Sequence, residues 1–469
     1  MRWEQRKNGY FDCQNLFDYE AAGAWPLDLA VSLPCMTERK VKSKQQRATR
    51  ALAVVGAGSL LFYASRFAVN FFGPALAYSM PEKNDSALDS EDFIQFLSLV
   101  TDGTRRRSRI SRLRNGVEFY PSQLAAIRRA KHTVNLEFYE FKEGQIGNEI
   151  LAALTERAAA GVEVRVIVDA LGSFATRNAY FDGLRAAGGQ MCWYHPLDWH
   201  TWPKVNNRTH RKLLIVDGET GFIGGAGIAD HWLHDTSMPV WRDTMFCVEG
   251  EAVAGLISAF CENWLETSGE ILSSPKQFAF RAIPEGAESF VVSSTPHGGG
   301  TQARILFQAL INSARHTIRI TTPYFLPDRS ARQALIGAIT QRGVTVQILT
   351  AGPRIDHPII RRMSHHSVRH LLEAGAEIYE YQPAMIHAKL MTVDGLWNVI
   401  GSTNFDHRSF ALNDEVNLAV LDAQLAATIE GDFFDDLKQS EQLSLPLLEQ
   451  RAMLGQDESI LDHILERES

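Results

Sequence analysis

The sequence predicts an α/β protein of two fused halves, and three observations carry that reading. From Gly116 onward, strand-like and helix-like segments alternate. The alternation is run through twice, at a spacing of about 180 residues, which suits a duplicated domain rather than a solenoid repeat. Each pass ends in the same short signature, His-x-Lys-x4-Asp.

In the first pass, Ala130-Lys131-His132-Thr133-Val134-Asn135-Leu136 leads to Gly161-Val162-Glu163-Val164-Arg165-Val166-Ile167-Val168. In the second, Ala314-Arg315-His316-Thr317-Ile318-Arg319-Ile320 leads to Gly343-Val344-Thr345-Val346-Gln347-Ile348-Leu349. Residues 150–160 and 331–342, between these strands, have helical spacing. A strand–helix–strand unit needs a crossover and a parallel sheet. A linker rich in small residues, 293–300, parts the two passes. The expected organisation is a basic tail (1–50), a hydrophobic segment (51–79), a first domain (110–280, signature 204–231), a second domain (285–440, signature 381–408) and a helical C-terminal tail (441–469).

The chain has 469 residues, 45% of them hydrophobic and 22% charged, which suits two folded cores. Its net charge of −8 argues against a general nucleic-acid binder, which carries a basic excess. Cys13, Cys35, Cys192, Cys247 and Cys261 are odd in number and lack C-x-x-C spacing, against a disulfide framework or a zinc site.

Residues 51–65 are uncharged, and apolar character resumes after Arg66 from 67 to 78. Together the two runs reach the length of about twenty residues that a spanning helix needs. The basic run Arg39, Lys40, Lys42, Lys44, Arg47 and Arg50 lies directly upstream, as the positive-inside rule wants of an anchor. The same layout resembles a signal peptide ending at Ala75-Leu76-Ala77, and a buried helix is the third reading. Met36 opens a more typical basic leader than residues 1–35 and is an alternative start.

The signatures carry the chemistry. The first reads His210-Arg211-Lys212-Leu213-Leu214-Ile215-Val216-Asp217-Gly218 and returns through Gly221-Phe222-Ile223-Gly224-Gly225. The second reads His387-Ala388-Lys389-Leu390-Met391-Thr392-Val393-Asp394-Gly395 and returns through Asn398-Val399-Ile400-Gly401-Ser402-Thr403-Asn404. Residues two apart on a strand share a face, so His and Lys of each copy point the same way. Asp-Gly is a hairpin turn signal. Ser402 and Asn404, also two apart, offer a hydroxyl and an amide to one pocket.

Cleaving a phosphodiester takes positive charge on the non-bridging oxygens, a nucleophile and an acid for the leaving oxygen. Two lysines supply the charge without a metal, and two histidines supply the other roles because imidazole titrates near physiological pH. The set is complete only if the halves meet face to face. One copy alone is as often a structural hairpin. From average residue usage, the full pattern arises by chance at roughly one in a million per position, and it occurs twice.

These residues resemble the phospholipase D superfamily, over about 116–437, and within it the bacterial cardiolipin synthases. Asn207-Arg208-Thr209 before His210, Trp241-Arg242-Asp243-Thr244, Tyr379-Glu380-Tyr381-Gln382-Pro383, Asn404-Phe405-Asp406-His407-Arg408-Ser409-Phe410, Asn413 and Glu415 carry the likeness. The resemblance implies two fused phospholipase D-like α/β/α domains with pseudo-twofold symmetry and a phosphatidyltransferase working through a phosphohistidine. It implies phosphatidylglycerol as the usual donor, a second phospholipid as acceptor, no metal and no cofactor. Catalytic roles fall to His210 and Lys212 with Asp217, and to His387 and Lys389 with Asp394. His210 is the expected nucleophile, His387 the acid, and the two aspartates are expected to brace their hairpins. The substrate-binding set is Gly224, Gly225, Gly401, Ser402, Asn404, Glu137 and Glu415. The implied partners are phospholipids and an anionic membrane surface, not nucleic acid, and the implied location is the bacterial cell membrane.

One departure stands out. Gly401-Ser402-Thr403-Asn404 keeps the family's Gly-Ser-x-Asn, whereas the first half has Gly224-Gly225-Ala226-Gly227 and lacks the amide. Trp193, Tyr194, Trp199 and Trp202 are candidates for an acyl-chain entrance. Asp356-His357-Pro358, Arg361 and Arg362, before a helix at 367–374, are candidates for a headgroup contact, and Arg105 to Arg114 for an anionic leaflet. The competing functions are a phospholipase D hydrolase using water, a nuclease of the same fold, and a binding module without activity.

Overall fold

A computed structural model describes residues 78–80, 86–196, 207–233, 241–295 and 302–453, with isolated positions between 56 and 65. The chain divides into residues 1–73 and 74–469, and the second unit carries the fold. Most of the expected hydrophobic segment, the whole basic tail and Trp199 and Trp202 lie outside the described residues. Among the described residues no helix is long and apolar enough to cross a membrane.

The first half contributes seven strands: β1 (Arg106–Arg114), β2 (Thr133–Phe138), β3 (Glu163–Asp169), β4 (Gln190–Tyr194), β5 (Lys212–Val216), β6 (Thr220–Gly224) and β7 (Thr244–Gly250). The second repeats them as β8 (Ala287–Ser294), β9 (Thr317–Thr321), β11 (Thr345–Ala351), β12 (Glu377–Tyr381), β13 (Leu390–Val393), β14 (Trp397–Gly401) and β16 (Glu415–Leu421). A short parallel pair, β10 (Phe325–Leu326) with β15 (Phe405–Asp406), flanks the second half, and β17 (Ser440–Gln442) extends its edge.

Strand order in the first half is β1-β7-β6-β5-β2-β3-β4 and in the second β8-β16-β14-β13-β9-β11-β12-β17. Each is the other's copy. They meet where β1 pairs antiparallel with β8, Arg107 opposite Glu288, so the two sheets run on as one of 15 strands. The expected crossovers are present: β2 and β3 pair in parallel across helix Gln145–Ala159, and β9 and β11 across helix Arg329–Arg342. The second helix is framed by sequence, with Asp328 accepting from the Ala331 N–H at its start and Gly343 left-handed at φ 70° at its end.

The halves share a core. Phe246, Val248, Leu256 and Phe260 of the first pack in one apolar cluster with Leu390, Ile400, Val416, Leu418 and Ile429 of the second. Burying such a side chain stabilises by about 1.5–3 kcal/mol, so the junction is a fused interior.

Two boundaries differ from expectation. Helix Glu91–Val100, ahead of the first expected domain, packs Phe93 and Leu97 into the second half's core, beside Trp397. The C-terminal tail opens with β17 before helix Leu445–Met453. Strand β1 also accounts for the basic run. Arg105 and Arg107 each pair with Glu288 at 2.7 Å, Arg112 stands 3.4 Å from Asp432, and Arg114 stands 2.9 Å from Asp436. Those charges knit strand and helix together instead of forming an unpaired patch for a leaflet.

The hairpin turns explain the signature aspartates. Asp217 and Gly218 have φ of 53° and 66°, Asp394 and Gly395 of 54° and 63°, the left-handed pair that a tight hairpin requires. Each carboxylate then accepts three backbone N–H groups: Asp217 from Lys131, His132 and Thr133 at 2.7–2.9 Å, Asp394 from Arg315, His316 and Thr317 at 2.8 Å. Asp394→Ala is expected to destabilise the fold by about 2–4 kcal/mol, because it orphans three donors and strains the turn. Chemical denaturation followed by circular dichroism measures it.

Candidate active site

Both histidines sit just ahead of their first hairpin strands, and each is seated by backbone of the other half. The His210 N–H donates to Asp414 O at 2.9 Å, and the His387 N–H to Arg242 O at 2.7 Å. The side chains repeat the exchange. His210 Nδ1 lies 3.0 Å from Glu415 Oε1, at the start of β16, while His387 Nδ1 lies 2.9 Å from Asp243 Oδ2, just before β7. Each imidazole is therefore oriented by a carboxylate across the pseudo-twofold axis. A carboxylate on Nδ1 fixes the tautomer that leaves Nε2 for chemistry.

The lysines lie beneath. Lys212 Nζ donates to His210 O at 2.7 Å, and Lys389 Nζ to His387 O at 2.6 Å. Lys389 Nζ also stands 3.0 Å from Nε2 of His387. All four side chains are buried. Burial pushes His210 down to about 4, reinforced by Lys212 and Lys389 and opposed by Glu415. Burial, then Lys389, Lys212 and His210, hold His387 well below its ordinary range. Burial brings Lys389 down to about 8, and burial with Lys389 holds Lys212 well below its ordinary range. Burial pushes Glu415 up, but His210, Lys212 and Ser402 outweigh it and hold it low; at Asp243 burial wins. Two mutually repelling ammonium groups and two neutral imidazoles form a ready anion site, since a bound phosphodiester relieves the repulsion.

The other expected residues divide by what they touch. Asp217 and Asp394 stand at the far hairpin ends on backbone N–H groups, away from the reacting groups. Glu415 holds His210. Ser402 donates to Glu415 Oε2 at 2.5 Å and accepts from the Val416 N–H, so its hydroxyl braces the carboxylate. Gly225, in the place of Ser402, leaves room for close approach: a Cβ there would lie 2.6 Å from His387 O and 2.7 Å from Asp243 Oδ1. Gly224 and Gly401 are packed against the neighbouring strand backbone. The shorter Asp243 goes with glycine, and the longer Glu415 with serine. Asn404 is buried, with its amide oxygen unpartnered among the described residues.

Glu137 is outside the site. It accepts from Thr209 Oγ1 at 2.5 Å and Asn263 Nδ2 at 2.6 Å, a buried group that burial pushes up to about 7. Tyr194 donates to Asp414 and Trp193 Nε1 to Asn178, so both serve packing. Arg361 pairs with buried Glu380 at 2.7 Å and lies within helix Pro358–Ala374, which begins earlier than expected and includes Arg361 and Arg362 instead of following them.

Comparison with known proteins fits this geometry. The family model for the cardiolipin synthase, PLD-like domain matches residues 124–241 and 307–437. A probable cardiolipin synthase of Bacillus subtilis is 34% identical over 340 residues, covering 72% of this chain and 68% of that protein. A cardiolipin synthase of Geobacillus kaustophilus is 35% identical over 344 residues, with the same coverage of each. The chain belongs to the cardiolipin synthase family of phospholipase D-like proteins. It thereby stands among the phospholipase D-type phosphatidyltransferases. The crystal structure of a phosphatidylserine synthase from Haemophilus influenzae Rd KW20 shares the fold, with a TM-score of 0.59 and 16% identity over 78% of this chain and 98% of that one.

Sequence reasoning overlooked the partner of His387. Asp243 lies 33 positions after His210 (243 − 210) and Glu415 28 after His387 (415 − 387), so the two carboxylates do not align by offset. Only the folded sheets show them as equivalents, at the starts of β7 and β16. It also overlooked a wall specific to one side. Trp241 and Trp232 pack on the His387 ring at 5.2 and 5.6 Å, whereas His210 meets Tyr139 edge-on at 5.4 Å.

Proposed function

We propose that the chain transfers a phosphatidyl group from phosphatidylglycerol to the hydroxyl of a second phospholipid through a phosphohistidine. The observation that carries this is the exchanged arrangement: two imidazoles, each held at Nδ1 by a carboxylate of the other half, above two lysines. His210 is the nucleophile, because among the described residues no lysine stands within hydrogen-bond reach of its ring nitrogens, whereas Lys389 Nζ lies 3.0 Å from both ring nitrogens of His387. His387 takes up a proton as the anionic phosphate binds, its imidazolium held at Nδ1 by Asp243. His210 Nε2 then attacks phosphorus, the bond to the headgroup oxygen breaks, and His387 gives that proton to the leaving glycerol. The acceptor hydroxyl then gives its proton to His387, its oxygen attacks phosphorus, and the P–N bond breaks. Lys212 and Lys389 hold the non-bridging oxygens throughout. Water in place of the acceptor gives phosphatidic acid, the hydrolase alternative.

A bilayer must present such substrates. Leu171 and Phe174, in the loop after β3, and Ile359, opening the helix after β11, are exposed apolar side chains at equivalent places in the two halves. They support seating the mouth of the site on lipid, with membrane attachment at the bacterial cell membrane.

The test uses purified full-length protein with phosphatidylglycerol in mixed micelles, products read by mass spectrometry. Cardiolipin and glycerol are expected, unaffected by a chelator. Failure to consume any phospholipid would sink the proposal; phosphatidic acid as sole product would replace it with hydrolysis.

The pH profile follows from the buried charges. As pH falls through about 4, His210 takes a proton and its nucleophilic lone pair is lost. As pH rises through about 8, Lys389 loses its proton and the phosphate loses a positive partner. The kcat/KM profile, which reports the free enzyme, is expected to be bell-shaped with limbs near these values. Lys389→Arg, which does not titrate there, is expected to remove the alkaline limb.

A further inference from the structure

The eroded motif of the first half is not an empty place. A Cβ at Gly227 would lie 3.0 Å from both Cβ and carbonyl oxygen of Glu140 and 3.1 Å from the Trp232 ring. Glu140 therefore occupies the ground on which Asn404 stands in the second half. Strand register identifies its counterpart there. Leu213 pairs with Glu137, and Leu390 with Thr321, so three residues on, Glu140 corresponds to Tyr324.

The Glu140 carboxylate meets Lys142 through Oε1 and stands 3.6 Å from Nε2 of His231 through Oε2, with only 15% of its side chain exposed. It is close enough to the catalytic centre to feel Lys212, and to the rim to feel Asp356. His231 is wedged between Trp232 at 4.0 Å and Trp241 at 4.2 Å, the same rings that wall His387. Burial and Lys142 keep this imidazole neutral, and its Nε2 has no hydrogen-bond partner among the described residues.

Nothing in the transfer chemistry uses this cluster. A carboxylate near a phosphate site repels the phosphate, so its place there calls for a different ligand group. Carboxylate oxygens accept hydrogen bonds from hydroxyls, and a neutral imidazole nitrogen adds another polar contact. Tryptophan faces cover the carbon skeleton between them. Lys142 already occupies the ammonium position on Glu140, which favours a neutral polyol over a cationic headgroup. The cluster also lies on the side of His387, where the headgroup leaves and the acceptor arrives.

We infer that Glu140 and His231 form a subsite for the hydroxyls of a polyol headgroup, the glycerol end of the departing or accepting lipid, beside His387. This rests on the phosphatidyl-transfer reading above. It makes Gly227 a replacement of function, the phosphate grip of one half having given way to headgroup selection.

The experiment offers full-length protein phosphatidylglycerol in mixed micelles with deuterated glycerol and 1-propanol as competing acceptors, and reads both transfer products by mass spectrometry. Wild type is expected to prefer glycerol by at least about tenfold, the effect of one hydrogen bond to a charged group. Glu140→Gln is expected to reduce that preference, Glu140→Leu to erase it, and His231→Phe, which keeps the aromatic stack, to lower it as well. Equal losses with both alcohols in the variants would mark a structural role and overturn the subsite. Turnover without preference in wild type would overturn the subsite alone. In a parallel mixture of ethanolamine and deuterated glycerol, preference for ethanolamine would replace it with an ammonium site. No turnover of any phospholipid by wild type would overturn the transfer reading and this inference with it.

Discussion

His387→Ala is expected to lower phosphatidyl turnover by at least about 10⁴-fold, and His210→Ala by a similar factor, because each removes a group that makes or breaks a bond. The reason lies in sharing. Each histidine is oriented by the opposite half, through Glu415 and Asp243, and both feel Lys212 and Lys389. Two independent sites would leave about half the activity in either mutant. One shared site leaves almost none, and the double mutant is expected to be scarcely worse than either single one, as for residues that act as a unit. Removing His387 also costs the buried Asp243 carboxylate one hydrogen-bond partner, leaving those from Trp232 Nε1 and the Thr244 N–H beside the Lys389 charge. His387→Asn, which can still donate to Asp243, separates lost chemistry from lost folding. It is expected to be equally inactive while unfolding near the wild-type temperature. Lipid mass spectrometry and thermal unfolding decide the matter; near-normal turnover in either single mutant refutes the shared site.

The division between what sequence revealed and what it hid follows from physical range. The hairpins were legible because their information is local: His and Lys two apart on one face, then Asp-Gly to turn the chain. The repeat was legible because both copies keep the period and turn chemistry of a strand–helix–strand unit. Asp243 stayed hidden because the contact that gives it meaning crosses between halves, and the loop before it is five residues longer than its counterpart (33 − 28). Glu137 misled for a related reason. It sits on β2 among candidate site residues, yet alternation along the strand turns it toward Thr209 and Asn263. The basic run misled because a row of arginines reads as surface until the acidic partners from distant segments, Glu288, Asp432 and Asp436, are in place.

Glu415→Gln and Asp243→Asn are each expected to reduce kcat by about 10²–10⁴-fold, the range that a correctly oriented acid–base group supplies. In Glu415→Gln the amide can present its NH₂ to Nδ1 of His210, which stabilises the tautomer with the proton on Nε2, where the lone pair is needed. Asp243→Asn removes the carboxylate that holds Nδ1 of the His387 imidazolium. The two variants differ in a way that tests the assignment of roles. Glu415 raises the affinity of His210 for protons against burial, so its loss moves His210 below its value of about 4. The acidic limb of the kcat/KM profile should then shift to lower pH in Glu415→Gln even as the plateau falls, since a weaker base stays neutral further down. Asp243→Asn should leave that limb in place, because Asp243 acts on His387 and Lys389. Asp243 and Glu415 both help Lys389 keep its proton, so the alkaline limb should move below about 8 in either variant. An acidic limb that moves in Glu415→Gln and stays in Asp243→Asn would tie the nucleophile to His210 and leave the acid's role to His387. The reverse pattern would exchange them.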